Sequence, residues 1–216
     1  MSLQEVFSAL LAWTPYLLGG FVWNITIAVA AMLIGTSVGV LLAWMRASSK
    51  PWATRASLIA TALSRNVPTI VFQFYLAVML PSELALPGTA WVLVIPAWVK
   101  ASLALSMAVV GFTSDNLHLA LTQWRKKNHT TALLFVPSWT SYALIIVIAS
   151  STASIIGVSE LVSRCNAVIN ATGNTRLMIP MYLYAGFFFL AFCYPLTLVM
   201  RQLRKTLSRR LPTGNL

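Results

Sequence analysis

The stretch FVWNITIAVAAMLIGTSVGVLLAW, residues 21–44, contains no ionisable side chain and is closed by Arg46. A helix rises 1.5 Å per residue, so about 20 apolar residues cross about 30 Å of hydrocarbon. In lipid every backbone amide must find its partner within its own segment, and a helix meets that condition. The stretch therefore reads as a transmembrane helix. Gly35 and Gly39 within it have the small-xxx-small spacing that lets a second helix come close.

Working outward, four further stretches qualify. They run from about Ala56 to Leu80, closing at Pro81-Ser82-Glu83; from about Thr89 to Gly111, after Pro87-Gly88; from about Ala132 to Val158; and from about Leu177 to Met200. The expected architecture is one all-α integral membrane domain over residues 1–216. Its spans fall near 21–45, 56–80, 89–111, 132–158 and 177–200, and a polar connection over 112–131 leads into the fourth. Pro68 and Pro96 lie inside two of these spans and should kink them, because each removes a backbone donor. Cys165 to Thr175 is polar and reads as a loop or a short interfacial helix.

Composition agrees: 58% of residues are hydrophobic and 9% charged, more apolar surface than a water-soluble core can hide. The net charge of +11 does not form a nucleic-acid face, because the cations cluster between the apolar runs. Arg46, Lys50 and Arg55 follow the first span; Arg125, Lys126 and Lys127 follow the third; Arg201, Arg204, Lys205, Arg209 and Arg210 follow the fifth. Short cytoplasmic connections retain lysine and arginine, so these regions are expected inside and the N-terminus outside. Glu5, Glu83 and Glu160 fall on the other side. Met1 to Thr14 lacks the positive region of a cleavable leader, so the N-terminus is expected to be retained.

Catalytic constellations are missing from the sequence. His118 and His129 are the only histidines, the four acids are dispersed, and there is no HExxH, GxSxG or phosphate-cradling GxxxxGK[ST]. Cys165 and Cys193 form no paired motif, so neither redox nor metal chemistry is assigned. No cofactor is expected on this chain.

Three motifs carry a resemblance. They are Trp23-Asn24-Ile25-Thr26 with the Gly-containing helix to Arg46; RNVPTIVFQ at 65–73; and SIIGVSEL at 154–161. In this order the chain resembles the polar amino-acid permeases, the transmembrane subunits of bacterial ATP-binding-cassette importers. The second motif corresponds to the family's Arg-Gly-Thr-Pro segment, and the third to its Ser-Val-Ile-Gly-Val-x-Glu-Leu. The resemblance implies a second permease subunit, two ATP-binding subunits that hold ATP and Mg, an external substrate-binding protein, and the bacterial inner membrane. One departure stands out. The family's coupling segment carries Glu-Ala-Ala and a nearby Gly, whereas RKKNHTTALLF at 125–135 has neither. Either the coupling helix or the fourth span is therefore shortened, which favours a related but non-identical partner permease.

Arg65 and Lys100 lie deep within their expected helices, where an ionisable group costs from about 2.5 kcal/mol upward unless paired or hydrated. No acidic partner is expected at that depth, since Asp115 maps to the inner boundary. Both are candidates for drawing a substrate carboxylate; the bland alternatives are snorkelling for Lys100 and carbonyl bonding at the Pro68 kink for Arg65. Asn66, Pro68, Gln73, Ser151 and Thr152 join them as pathway candidates, although hydroxyls at helix contacts are commonly packing glue. Arg125, Lys126, Lys127, His129, Thr130 and Thr131 are candidates for ATPase contact, set against simple retention beside anionic lipid. Rival functions are a non-transporting regulatory subunit and a secondary transporter, the latter weakened by the lack of paired repeats.

Overall fold

The computed structural model describes residues 3–85 and 92–209. The expected Pro87-Gly88 turn, the expected helix start at Thr89, and Arg210 lie outside the described residues. The first helix, α1 (Leu3–Arg46), begins well before the expected position 21. Its 44 residues extend for about 66 Å at 1.5 Å per residue, about twice the hydrocarbon thickness. Pro15 is accommodated inside it. The N-terminal extension is held because Val6, Ala9, Leu10 and Trp13 pack on the core formed by Leu17, Leu161, Cys165, Val168 and Met181.

The expected second span is broken rather than kinked. Helix α2 (Pro51–Asn66) ends where Val67 and Pro68 are extended, with ψ of 124° and 136°, and α3 (Thr69–Met79) starts anew. A residue before proline is pushed out of the helical region, and proline itself donates no hydrogen bond. A small antiparallel pair follows, β1 (Glu83–Ala85) and β2 (Val92–Val94), with Glu83 opposite Val94. The third long segment also moves: α4 runs Ala97–Arg125, so Pro96 caps its start instead of kinking its interior.

The expected connection at 112–131 is mostly the end of α4. A turn at Lys126 to Asn128 leads to a single-turn helix, α5 (His129–Leu133), and then directly into α6 (Phe135–Ala149). The span continues as a 3-10 helix over Ser150–Ile156 and stops at Gly157, whose φ is +86°. Of the loop or short helix expected over 165–175, the chain forms a helix, α7 (Leu161–Thr172), and α8 (Met178–Arg209) closes the described chain.

Among the described residues, four helices are long and apolar enough to cross a membrane: Gln4–Arg46, Ala97–Arg125, His129–Ile156 and Thr175–Arg209. The outer face of α8 is bare, with Ile179, Leu183, Phe187 and Leu190 exposed, as befits a surface solvated by lipid. This is a helical membrane protein. Helices α1 and α4 run parallel: Trp23 lies beside Trp98, Gly35 against Ser106 and Val109, and Gly39 against Val110 and Thr113. Helix α6 runs opposite, its Trp139 Nε1 donating to Thr36 Oγ1 at 2.9 Å and its continuation bringing Ser150 to Asn24. Helix α8 follows α1 again, pairing Tyr184 with Thr14 and setting Phe188, Phe189 and Phe192 around Phe21. Three basic groups therefore share one end of the molecule: Arg46 with α2, Arg125 to Lys127, and the tail of α8 around Arg204. The β-pair, Glu160 and α7 occupy the other end.

The expected close approach at Gly35 and Gly39 is present. A Cβ on Gly35 would sit 2.5 Å from Val109 Cβ and 2.6 Å from the Ser106 carbonyl oxygen, and one on Gly39 would sit 2.6 Å from Thr113 Cβ. Gly35→Ala should cost about 1–3 kcal/mol, as overpacking does, and lower the unfolding midpoint of the purified chain in detergent. Gly186→Ala meets nothing within 4 Å and should leave that midpoint unchanged or raise it. Equal effects at the two positions would contradict the assigned helix contact.

Candidate functional site

Two of the resembling motifs meet in one buried knot. Asn24 donates through Nδ2 to Glu160 Oε2 at 2.9 Å and to Ser150 Oγ at 3.0 Å, and its Oδ1 accepts from the Leu161 N–H at 3.1 Å. Glu160 also caps α7, accepting from the N–H groups of Val162 and Ser163 at 3.1 and 2.8 Å. Asn24, Ser150 and Glu160 are all fully buried. Burial pushes the Glu160 carboxyl above its ordinary range, while Asn24 and the Ser163 and Val162 N–H groups pull it part of the way back. Burial and the nearby Glu160 charge push the Cys165 thiol up to about 12, so it stays protonated and unreactive at neutral pH. This knot is framework: it ties α1 to the turn between the 3-10 helix and α7.

The second polar cluster corrects the expected isolation of Arg65. Asp115 accepts from Arg46 Nη1 at 2.7 Å and also pairs with Arg65 Nη1. Arg46 Nη2 further donates to Thr61 Oγ1 at 2.7 Å and to Ser114 Oγ at 3.2 Å. The two arginines differ in setting, with 11% of the Arg46 side chain exposed against 61% for Arg65. Arg65 reaches Asp115 because Gly111 has no side chain: a Cβ there would lie 2.5 Å from Arg65 Cγ. Arg65 is also at the end of α2 rather than deep inside a continuous helix, so its expected depth came from a helix that the Val67-Pro68 break divides.

At that break lies a cavity of about 610 Å³ whose wall includes Arg65, Pro68, Phe112, Asp115, Asn116 and Tyr142. The Phe112 and Tyr142 rings stack with centroids 4.0 Å apart, and Tyr142 donates to the Ala108 carbonyl. A second cavity, about 370 Å³, holds Arg46, Thr61 and Asn66 and shares Arg65 and Asp115. The Arg65–Asp115 pair therefore stands between two open volumes.

The remaining pathway candidates lie elsewhere. Lys100, expected near mid-span, sits in the first turn of α4 and donates to the Leu80 carbonyl at 2.6 Å, with Ala77 O and Ser82 Oγ at 3.5 and 3.4 Å. A cation on the last carbonyls of a helix is a C-terminal cap, so Lys100 fastens α3. Gln73 is buried and donates to Thr152 Oγ1 at 2.8 Å, joining α3 to the 3-10 helix. Ser151 returns its hydroxyl to the Ile148 carbonyl. Neither Lys100, Gln73, Ser151 nor Thr152 lines the two cavities. Among the ATPase-contact candidates, Arg125 ends α4, Lys126 and Lys127 form the turn with Lys127 left-handed at φ 62°, and His129, Thr130 and Thr131 belong to α5. All but Thr130 and Thr131 are exposed.

Sequence reasoning missed Asp115, Tyr142 and Phe112. Asp115 had a signal: it is the single acid near three basic connections, and a lone carboxylate there is expected to find an arginine. Among the described residues no group of three His, Cys, Asp or Glu side chains could hold a metal ion.

The architecture defines a polytopic helical membrane protein with an ion pair between two cavities. Its fold matches a chain in the crystal structure of an amino acid ABC transporter with histidines, at a TM-score of 0.71 and 17% identity over 95% of this chain and 98% of that one. At that identity the likeness is one of fold. Comparison with models of known families and with curated proteins gives no match.

Two outcomes follow from this geometry. Arg46→Gln should destabilise the chain by about 1.5–3 kcal/mol, as for lost hydrogen bonds to a charged group, whereas Arg65→Gln should change stability by no more than about 1 kcal/mol, being an exposed pair. Denaturation in detergent reads both, and a larger loss for Arg65→Gln would contradict the assignment. Glu160 supplies the second outcome. The folded chain holds its proton more tightly than the unfolded chain, so ionisation costs folded stability. Wild type should thus lose stability relative to Glu160→Gln as pH rises from the ordinary value of 4.5 through the raised one. A gap that is constant or widens in favour of wild type would overturn this.

Proposed function

We propose that the chain is the permease subunit of an ABC importer carrying a polar amino acid or related small solute across the bacterial inner membrane. The observation that carries the proposal is the Arg65–Asp115 pair on the wall of the 610 Å³ cavity. An exposed pair is worth about 0–1 kcal/mol, so a substrate carboxylate can exchange for Asp115 on Arg65 at little cost. The ammonium of a zwitterion then takes up the carboxylate oxygen that Arg65 has left. Arg46 stays on the other oxygen and holds Asp115 in place. Asn66 and Pro68 complete the polar edge of the break, while Lys100 and the Gln73–Thr152 bond fasten α3 beyond it.

Energy comes from outside this polypeptide, which has no phosphate-cradling loop. In this reading two ATP-binding subunits hold ATP and Mg, an external binding protein delivers the solute, and a related, non-identical permease chain completes the pathway. The basic end faces the cytoplasm, where Arg125, Lys126, Lys127 and α5 meet the ATPase. Arg65→Gln in the complete transporter, reconstituted in vesicles, should cut uptake by about tenfold or more, the value of a hydrogen bond to a charged partner. Unchanged uptake with normal assembly removes Arg65 from the pathway.

The five-residue length of α5, without the family's Glu and Gly, favours a second reading: a non-transporting subunit that stabilises or regulates such a complex. Copurification with an ATPase, together with normal transport after deletion of this chain, would support it.

A further inference from the structure

The cations at the basic end outnumber anything the chain offers to neutralise them. Both ion pairs there use Asp115. The other carboxylates, Glu5, Glu83 and Glu160, belong to the opposite end. Among the described residues no carboxylate pairs with Lys50, Arg55, Arg125, Lys126, Lys127, Arg201, Arg204, Lys205 or Arg209. Arg201, Arg204 and Lys205 are three and four residues apart on α8, so they share one face.

Of these, Arg204 lies in a crevice, about 200 Å³ in volume, between α4, α5, α6 and α8. The crevice pairs it with Asn116 and Thr131 and continues over Leu119, Leu134 and Phe135. It adjoins the Arg65 cavity, with Asn116 and Leu119 in both walls, but Arg65 and Asp115 are not part of it. Apolar side chains flank it: Leu119, Leu133 and Val136 are 56%, 45% and 51% exposed, and Trp124, edge-on to His129, is half-exposed at the end of α4. A cation beside apolar side chains, at the same end of the molecule as an exposed tryptophan, is the arrangement of the headgroup boundary of a bilayer.

We propose that this crevice is a binding site for an anionic glycerophospholipid. Its phosphate pairs with the Arg204 guanidinium and accepts from the Thr131 hydroxyl, and an acyl chain lies along Leu119, Leu134 and Phe135. A soluble acidic protein would satisfy the charge but leave that apolar lining uncovered, so lipid is the better complement. Because α5 forms one wall, bound lipid would also brace the short helix that follows the α4 turn. The site needs only the membrane setting of the fold and does not depend on the transported solute.

The test uses the full chain purified in detergent and native mass spectrometry with equimolar dioleoylphosphatidylglycerol and dioleoylphosphatidylcholine. The wild type should retain the glycerol lipid over the choline lipid. Arg204→Gln should lower that retention by about fivefold, the value of one basic residue beside an anionic headgroup, and Arg204→Lys should recover most of it. Arg209→Gln, outside the crevice, should change it by less than about twofold. Equal losses for Arg204→Gln and Arg209→Gln would reduce the attraction to a diffuse surface effect and overturn the site. So would equal retention of the two lipids, displacement of the lipid by inorganic phosphate at matched ionic strength, or an Arg204-dependent acidic protein that excludes the lipid.

Discussion

Parallel contact between α1 and α4 at Gly35 and Gly39 is the constraint from which the rest of the molecule takes its register. In lipid, apolar side chains gain nothing by leaving the solvent for each other, so helices are held by close packing and by polar contacts. The two glycines place the backbone of α1 against Ser106, Val109, Val110 and Thr113 at separations where no Cβ fits. A slip along α4 would put a side chain where there is no volume for one. With the register set there, both ends follow. Arg46 arrives at Asp115 and Ser114 at one end, and Trp23 lies beside Trp98 at the other. Asn24, one residue on, is then in place for Ser150 and Glu160.

The polar residues divide accordingly. Asn24, Ser150 and Glu160 are mutually satisfied and enclosed, and a closed network of that kind rigidifies its surroundings. Lys100 spends its charge on the carbonyl end of α3. Arg65 differs, because the chain breaks directly after it and its pair to Asp115 is open on both sides. Arg46 and Arg65 thus contrast on one carboxylate: the first is buried and bonded also to Thr61 and Ser114, and the second is exposed.

How much could be read beforehand depended on which physical signal a segment carried. The apolar run at 21–44, the glycine spacing and the sorting of lysine and arginine are properties of composition and period, and all three reappear in the fold. Helix ends were less accessible. From sequence Pro68 reads as a kink, yet a kink requires neighbouring residues to remain helical, and Val67 before the proline does not. Pro96 falls inside an expected helix, whereas the described helix starts at Ala97; a proline at a helix entrance costs nothing, since the first amides have no intrahelical acceptor. Those misplaced ends moved Arg65 and Lys100 toward mid-span and concealed Asp115 as a partner. The SIIGVSEL motif was legible as a motif, but its bond to Asn24 spans 136 residues and required the folded chain.

The junction after α4 bears most directly on how the chain would work under the proposed function. Two outcomes were open for RKKNHTTALLF: a coupling helix with a truncated span, or a full span with little coupling helix. The second is what the chain adopts. Helix α4 continues to Arg125, Lys127 takes a left-handed conformation normally left to glycine, and α5 ends after five residues. Asn128 offers its side chain to the Thr131 N–H, so the helix is capped at its start and already complete one turn later. An element this short cannot act as an independent lever, because almost every backbone group in it is a terminal one. It can move only with what it touches, namely the end of α4, the start of α6 and the tail of α8. If an ATPase pushes here, the push goes straight into three spanning helices rather than through a flexible joint. Under the proposed function, the partner permease would then be the chain that supplies a longer, conventional coupling helix, while this one follows as a stiff body.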